Sequence, residues 1–198
     1  MLYIFGDSHA LFSFKNLSIC HENRQQHSVT MFRIGRDNHI INFNINLNNA
    51  DNSFILCYGE VDCRCHVGKQ IKLGRQEDDI LRELVNSYFQ TIKNNIKIYK
   101  NIYIIGVIPT VSQNEHEKIH GPITHEFPFV GTDAERIRYT HKINILLEDY
   151  ALKNNFIYFN PYKYYTREDG ILKRELSDNN CHLKDNSFFL EKFIQILV

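Results

Sequence analysis

Short, continuous apolar runs alternate along this chain with long amphipathic stretches, and that alternation is the strongest constraint on its fold. Residues 2–5, 28–34, 53–58, 101–108 and 156–159 are apolar runs rich in β-branched and aromatic side chains, four of them closed by Gly6, Gly35, Gly59 and Pro109. Runs of this length and composition read as buried strands. Residues 77–99 carry Ile80, Leu81, Leu84, Val85, Tyr88, Phe89, Ile92 and Ile96 at three- and four-residue spacing, the period of a helix with one buried face. Residues 133–154 repeat that pattern, 8–17 read as a first helix and 186–198 as a closing one. Apolar strands joined by amphipathic helices imply a parallel sheet covered on both faces. The expected class is therefore α/β. With no repeat, linker or low-complexity tract, one domain over residues 1–198 is expected. Two stretches do not fit the alternation. Residues 36–52 are rich in Asn, with 40–45 open between strand and loop. Residues 112–131 hold His116, His120 and His125 without a period, and read as a loop insertion that covers a pocket.

Charge and cysteine content exclude some functions. Lys plus Arg is 23 and Asp plus Glu is 23, a formal balance of zero. Nucleic acids and anionic bilayers are both recognised through clustered basic residues, so neither is an expected partner. The run at 104–108 is too short to cross a bilayer, and the first five residues lack the basic start of a secretion signal. Cys20, Cys57, Cys63, Cys65 and Cys181 are odd in number and irregular in spacing, which is not a disulfide framework. A reducing, cytoplasmic location is the expectation.

In open parallel sheets, ligands bind outside the carboxyl ends of the strands. The polar clusters of this sequence fall there: Gly6-Asp7-Ser8-His9 after the first run, Gly35-Arg36-Asp37 after the second, Gly59-Glu60-Val61-Asp62 after the third. A serine hydroxyl becomes a nucleophile when it is exposed and a base removes its proton. Ser8, on a strand-to-helix turn, meets the first condition, and N–H groups at the helix start could stabilise a reacting oxygen. The plainer reading makes Asp7 or Ser8 a helix cap. His182, in the polar stretch before the closing helix, is the candidate base, and Asp178, four residues back, can fix its tautomer. The alternative is an ordinary loop histidine, one of 10 in the chain.

Taken together, these residues resemble the SGNH, or GDSL-type, hydrolase family. That family carries Gly-Asp-Ser after the first strand, Gly after the second, Gly-x-Asn-Asp after the third and Asp-x-x-His near the C-terminus. The counterparts here are Gly6-Asp7-Ser8, Gly35, Gly59-Glu60-Val61-Asp62, and Asp178 with His182. The resemblance implies a flavodoxin-like three-layer α/β/α sandwich with a five-stranded parallel sheet. It implies Ser8 as nucleophile, His182 as base and Asp178 as the acid that orients it. It also implies an oxyanion hole that draws on the Ser8 and Gly35 N–H groups, and no cofactor. The reaction implied is cleavage of an O-acyl ester, with an O-acetyl group on a small molecule or glycan as the substrate class. Transfer of the acyl group to a sugar is the alternative outcome.

Two positions depart from the pattern. Asp62 stands where the family has Asn, and an ionised carboxylate repels an oxyanion instead of donating to it. Arg64, two residues on, could pair with Asp62 and face the reacting oxygen, or form a structural ion pair with Glu60 or Asp62. The acid precedes His182 by four residues where the family has three, a spacing that would select Asn179; Asp178 is favoured because a carboxylate stabilises the imidazolium better. Cys63, Cys65, His66 and Cys181 lack the paired spacing of a zinc site. A catalytically silent glycan- or protein-binding domain is a second reading of the Asp62 departure. A nucleotide or phosphate binder is a third, weakened by the lack of a Gly-rich phosphate loop.

Overall fold

A computed structural model of the chain describes residues 1–26, 28–38, 51–95, 101–124 and 126–197. Among the described residues one all-parallel sheet holds β1 (Leu2–Gly6), β2 (His21–Gln25), β3 (Ser53–Cys57), β4 (Asn101–Ile105) and β5 (Ile157–Phe159), in the order β2-β1-β3-β4-β5. Leu2 lies opposite both His21 and Ser53, and Gly6 opposite both Gln25 and Cys57. The strand order reverses between β1 and β3, so a crevice opens beyond the carboxyl ends of those two strands.

Side chains alternate across each strand and build two cores. Phe5, Phe54, Leu56, Ile102 and Ile104 point to one face, against α2 (Met31–Asp37), α3 (Val67–Lys72), α4 (Glu77–Asn95) and α6 (Asp133–Lys153). Leu2, Ile4, Ile55, Tyr103 and Ile105 point to the other, against α1 (Ser8–Ser13), α7 (Tyr162–Tyr165) and α8 (Ser187–Ile194). The result is the three-layer sandwich. α4 carries Glu77, Asp78 and Asp79 in its first turn and Lys93 in its last, as the helix dipole favours. α6 starts at a capping box of Thr132 and Glu135.

Three expectations change. The second strand is His21–Gln25, not 28–34. Every residue of it is polar and half-buried, as an edge strand permits. The apolar residues Met31 and Ile34 belong instead to a helix, α2, because its start is capped twice. Thr30 Oγ1 accepts from Arg33 N at 3.2 Å, and the Asp62 carboxylate accepts from Met31 N at 2.8 Å and Phe32 N at 3.1 Å. Finally, the insertion at 112–131 contains a helix, α5 (Gln113–His120), capped by Ser112. The segment 40–45, the end of the stretch read as helix to residue 99, and His125 lie outside the described residues.

Candidate active site

Beyond β1 the chain turns directly into α1. A side chain on Gly6 would come within 2.6 Å of the Cys57 carbonyl oxygen, so only glycine fits where β1 lies against β3. Asp7 is the helix cap, its Oδ1 accepting from His9 N at 2.8 Å. Ser8 is left to face the C-terminal segment. Its Oγ lies 2.9 Å from His182 Nε2, and His182 Nδ1 lies 3.0 Å from Asp178 Oδ2.

The loop that carries His182 is closed on itself. Asp178 N donates to His182 O at 3.0 Å, and Asp178 Oδ1 accepts from Asn180 N and His182 N. Asn179, between Asp178 and His182, takes a left-handed backbone, φ 64°. The Phe12 ring stacks on the imidazole at 4.3 Å. With Nδ1–H donated to Asp178, the lone pair on Nε2 faces the serine hydroxyl. Burial pushes the His182 imidazolium down, but hydrogen bonds to Cys181 and Asp178 help to raise it above the ordinary value.

Beyond β3, Gly59 has φ +123°, a conformation open to glycine, and a Cβ there would meet Val107 Cγ2 at 2.7 Å. A single π turn follows, Asp62–His66, closed by Val67 N onto Asp62 O. This turn sends Asp62 and Arg64 to different partners. Asp62 is fully buried and spent on the start of α2; burial raises its carboxyl to about 7 against the two N–H groups that favour the anion. It is therefore neither an oxyanion donor nor the partner of Arg64. Arg64 instead donates Nε to both oxygens of Glu60, at 3.0 and 3.1 Å, and Nη1 to Phe127 O at 2.5 Å.

Gly35 is also corrected. It lies inside α2 against α4, where a Cβ would come 2.7 Å from Ser87 Cβ, so it serves helix packing and not the site. The segment that follows β2 in space is Ser28–Thr30. It lines a cavity of about 450 Å³ together with Ser8, Arg64 and His116. The wall opposite is α5 and the stretch after it, with Gly121, Ile123 and Phe127, so the insertion does cover the pocket. His116 Nε2 meets Asn180 Oδ1 at 3.1 Å and His120 Nε2 meets Asn179 O at 2.8 Å, tying this wall to the loop that carries His182.

His9 is a residue of the site that sequence reasoning did not single out, and Glu60 entered it only as a possible ion-pair partner of Arg64. Glu60 and Arg64 stand four apart, the spacing of an ion pair along a helix, which was a legible signal. Nothing local marks His9. His9, Cys181 and His182 are a His/Cys cluster with potential ligand atoms within 4.8 Å of one another. Those atoms are already engaged: His182 Nε2 with Ser8, and His9 Nε2 with the Cys181 carbonyl at 3.1 Å. The arrangement is a hydrogen-bonded network.

No family profile matches the sequence, and no curated protein is significantly similar to it. Solved structures are. A GDSL-like lipase from Bacteroides thetaiotaomicron superposes with a TM-score of 0.58 at 14% identity, over 98% of this chain and 84% of the other. A catalytic mutant of an acetylxylan esterase from Geobacillus stearothermophilus superposes with a TM-score of 0.59 at 12% identity, over 98% and 92%. The fold is that of the GDSL-type hydrolases. In this GDSL-type fold, the five-stranded parallel sheet between two helical layers matches what the resemblance implied.

Proposed function

We propose that the chain is a serine esterase that cleaves a short O-acyl ester, an acetyl group on a glycan being the best fit. The observation that carries this is the line Asp178–His182–Ser8, with 3.0 and 2.9 Å between successive polar atoms. His182 Nε2 takes the Ser8 proton as Oγ attacks the ester carbonyl. The carbonyl oxygen gains the negative charge, and the Ser8 N–H and the Arg64 guanidinium stabilise it, Arg64 replacing the amide donor that Asp62 does not supply. The imidazolium then protonates the departing alcohol, which leaves an acyl-Ser8. Water, deprotonated by the same imidazole, attacks that ester, releasing the acid and restoring the hydroxyl.

The choice of glycan rests on the cavity and on the acetylxylan esterase neighbour. Ser28, Thr30, Arg64, His116 and Glu126 give the lining hydrogen-bonding groups suited to a hydroxyl-rich alcohol. The test is acetate release from acetylated xylo-oligosaccharides beside hydrolysis of p-nitrophenyl acetate and octanoate. The expected result is turnover of the acetyl compounds, little of the octanoate, and none by Ser8→Ala. Efficient octanoate hydrolysis with no acetate release would overturn the substrate class, and no turnover of any ester would overturn the esterase.

A further inference from the structure

His9 is 5% exposed, follows the nucleophile, and takes no part in the steps above. Its ring meets acceptors on both sides. Nδ1 lies 3.1 Å from Asp7 Oδ1, which already accepts the His9 backbone N–H. Nε2 lies 3.1 Å from the Cys181 carbonyl and 3.2 Å from Glu60 Oε2. A carbonyl oxygen only accepts, so Nε2 carries a proton. An ionised Asp7 carboxylate likewise only accepts, so Nδ1 carries one too, and a ring with both nitrogens protonated is an imidazolium. Burial by itself opposes that charge, and the carboxylates of Glu60 and Asp7 outweigh it.

This cation joins the three segments of the site. Asp7 belongs to the turn that presents Ser8. Glu60 holds Arg64. Cys181 is the residue before the base, so its carbonyl fixes the backbone from which His182 projects. The rings of His9 and His182 stand 4.8 Å apart. The groups facing His182 are Asp178 from its own loop, the Cys181 thiol at 3.7 Å, Ser8 and His9 from α1, and, electrostatically, Glu60 from the end of β3.

We infer that His9 is a positioning residue of this site: a fixed imidazolium that clamps the His182 loop to Glu60 and, by its charge, opposes protonation of the base. The inference rests on the esterase reading for its catalytic meaning and on the hydrogen-bond geometry for the charge. Without His9, the carboxylates of Asp178 and Glu60 would hold a proton on His182 to higher pH, and less of the enzyme would carry a free base near neutrality.

The experiment is an NMR titration of protein with 15N- and 13C-labelled histidine, in the full chain and in variants. In the unaltered protein at pH 7, both ring nitrogens of His9 are expected to show imidazolium shifts; a neutral ring overturns the inference without any variant having to fold. His9→Gln is expected to move the His182 midpoint up by about one to two pH units, the scale of a unit charge at this separation in a partly screened interior. The acid limb of kcat should move with it while KM changes little. Glu60→Gln, which removes a negative charge from the same surroundings, should move the midpoint down, and His9→Lys should return it towards its original place. A purely structural role for His9 gives no such pair of opposite shifts, so an unchanged midpoint, or both variants moving it the same way, contradicts the inference. Fluorophosphonate labelling of Ser8 is read in parallel: absence of labelling beside the expected titration removes the esterase and leaves the charged clamp.

Discussion

Ser8 Oγ and His182 Nε2 stand 2.9 Å apart although 174 positions separate them in the chain. Two features of the fold create the contact. The first is that β1 lies inside the sheet, so the turn after it opens at the crevice. The second is that the segment before α8 runs back over the same edge, held by the bridge between Ser177 and Leu183 and by Asn186 Nδ2, which donates to the carbonyls of Phe12, Ser13 and Lys15 in and just after α1.

Asp178, and not Asn179, is the residue whose side chain meets His182 Nδ1, at 3.0 Å. Asp178→Ala is expected to lower kcat/KM for p-nitrophenyl acetate on the order of 10²–10⁴-fold, since the imidazole loses both its tautomer and the partner of its charge. Asn179→Gly keeps the left-handed backbone and should leave the rate within about twofold. Rates that fall for Asn179→Gly and persist for Asp178→Ala would reverse the assignment.

Arg64 is expected to act on kcat more than on KM. Arg64→Lys keeps a positive charge but loses the Nε donation to Glu60, and the rate should fall by roughly 10²-fold, within the range known for a lost oxyanion donor. A variant with unchanged kcat would return Arg64 to a purely structural ion pair with Glu60.

The base must be unprotonated to act, and His182 sits above the ordinary imidazole value of 6.5. Activity should therefore rise with pH through a single midpoint above 6.5 and level off in the alkaline range. A pH–rate profile of kcat/KM measures this directly; an acid limb below 6 contradicts it.

Asp62 predicts an effect on stability rather than on chemistry. Its folded-state value of about 7 lies above the ordinary 3.8, so the folded chain holds this proton more tightly than the unfolded one. The stability that this contributes is complete below about pH 4 and lost as pH rises through about 7. Asp62→Ala leaves two N–H groups of α2 without a partner, a cost on the order of 2 kcal/mol. The gap between the two proteins in urea unfolding should be larger at pH 5 than at pH 8 by about 1–3 kcal/mol. A gap that widens towards pH 8 would contradict the assignment.

How much of this was legible follows from what each segment says locally. β1, β3 and β4 are apolar enough to read directly, and they carry the polar clusters at their ends. β2 reads His-Glu-Asn-Arg-Gln, an edge strand without a hydrophobic signal, and missing it moved the second strand onto residues 28–34. That shift made Gly35 look like an oxyanion residue, when its glycine is required by the approach of α2 to α4. What turns Met31 and Ile34 into a helix is partly a carboxylate some thirty residues away, Asp62, which no local pattern reveals. The same π turn that spends Asp62 there sends Arg64 to Glu60. The meeting of Ser8, Asp178 and His182 was legible because all three lie in short polar segments. His9 was not, because its meaning comes from Glu60 and Cys181, neighbours in space alone.

The most direct test is intact-protein mass spectrometry after exposure to a fluorophosphonate, with the adduct mapped by peptide sequencing. The account predicts one adduct, on Ser8, formed in the unaltered chain and lost in His182→Ala. A folded chain that takes no adduct, or carries it on another residue, would contradict a serine nucleophile at this site.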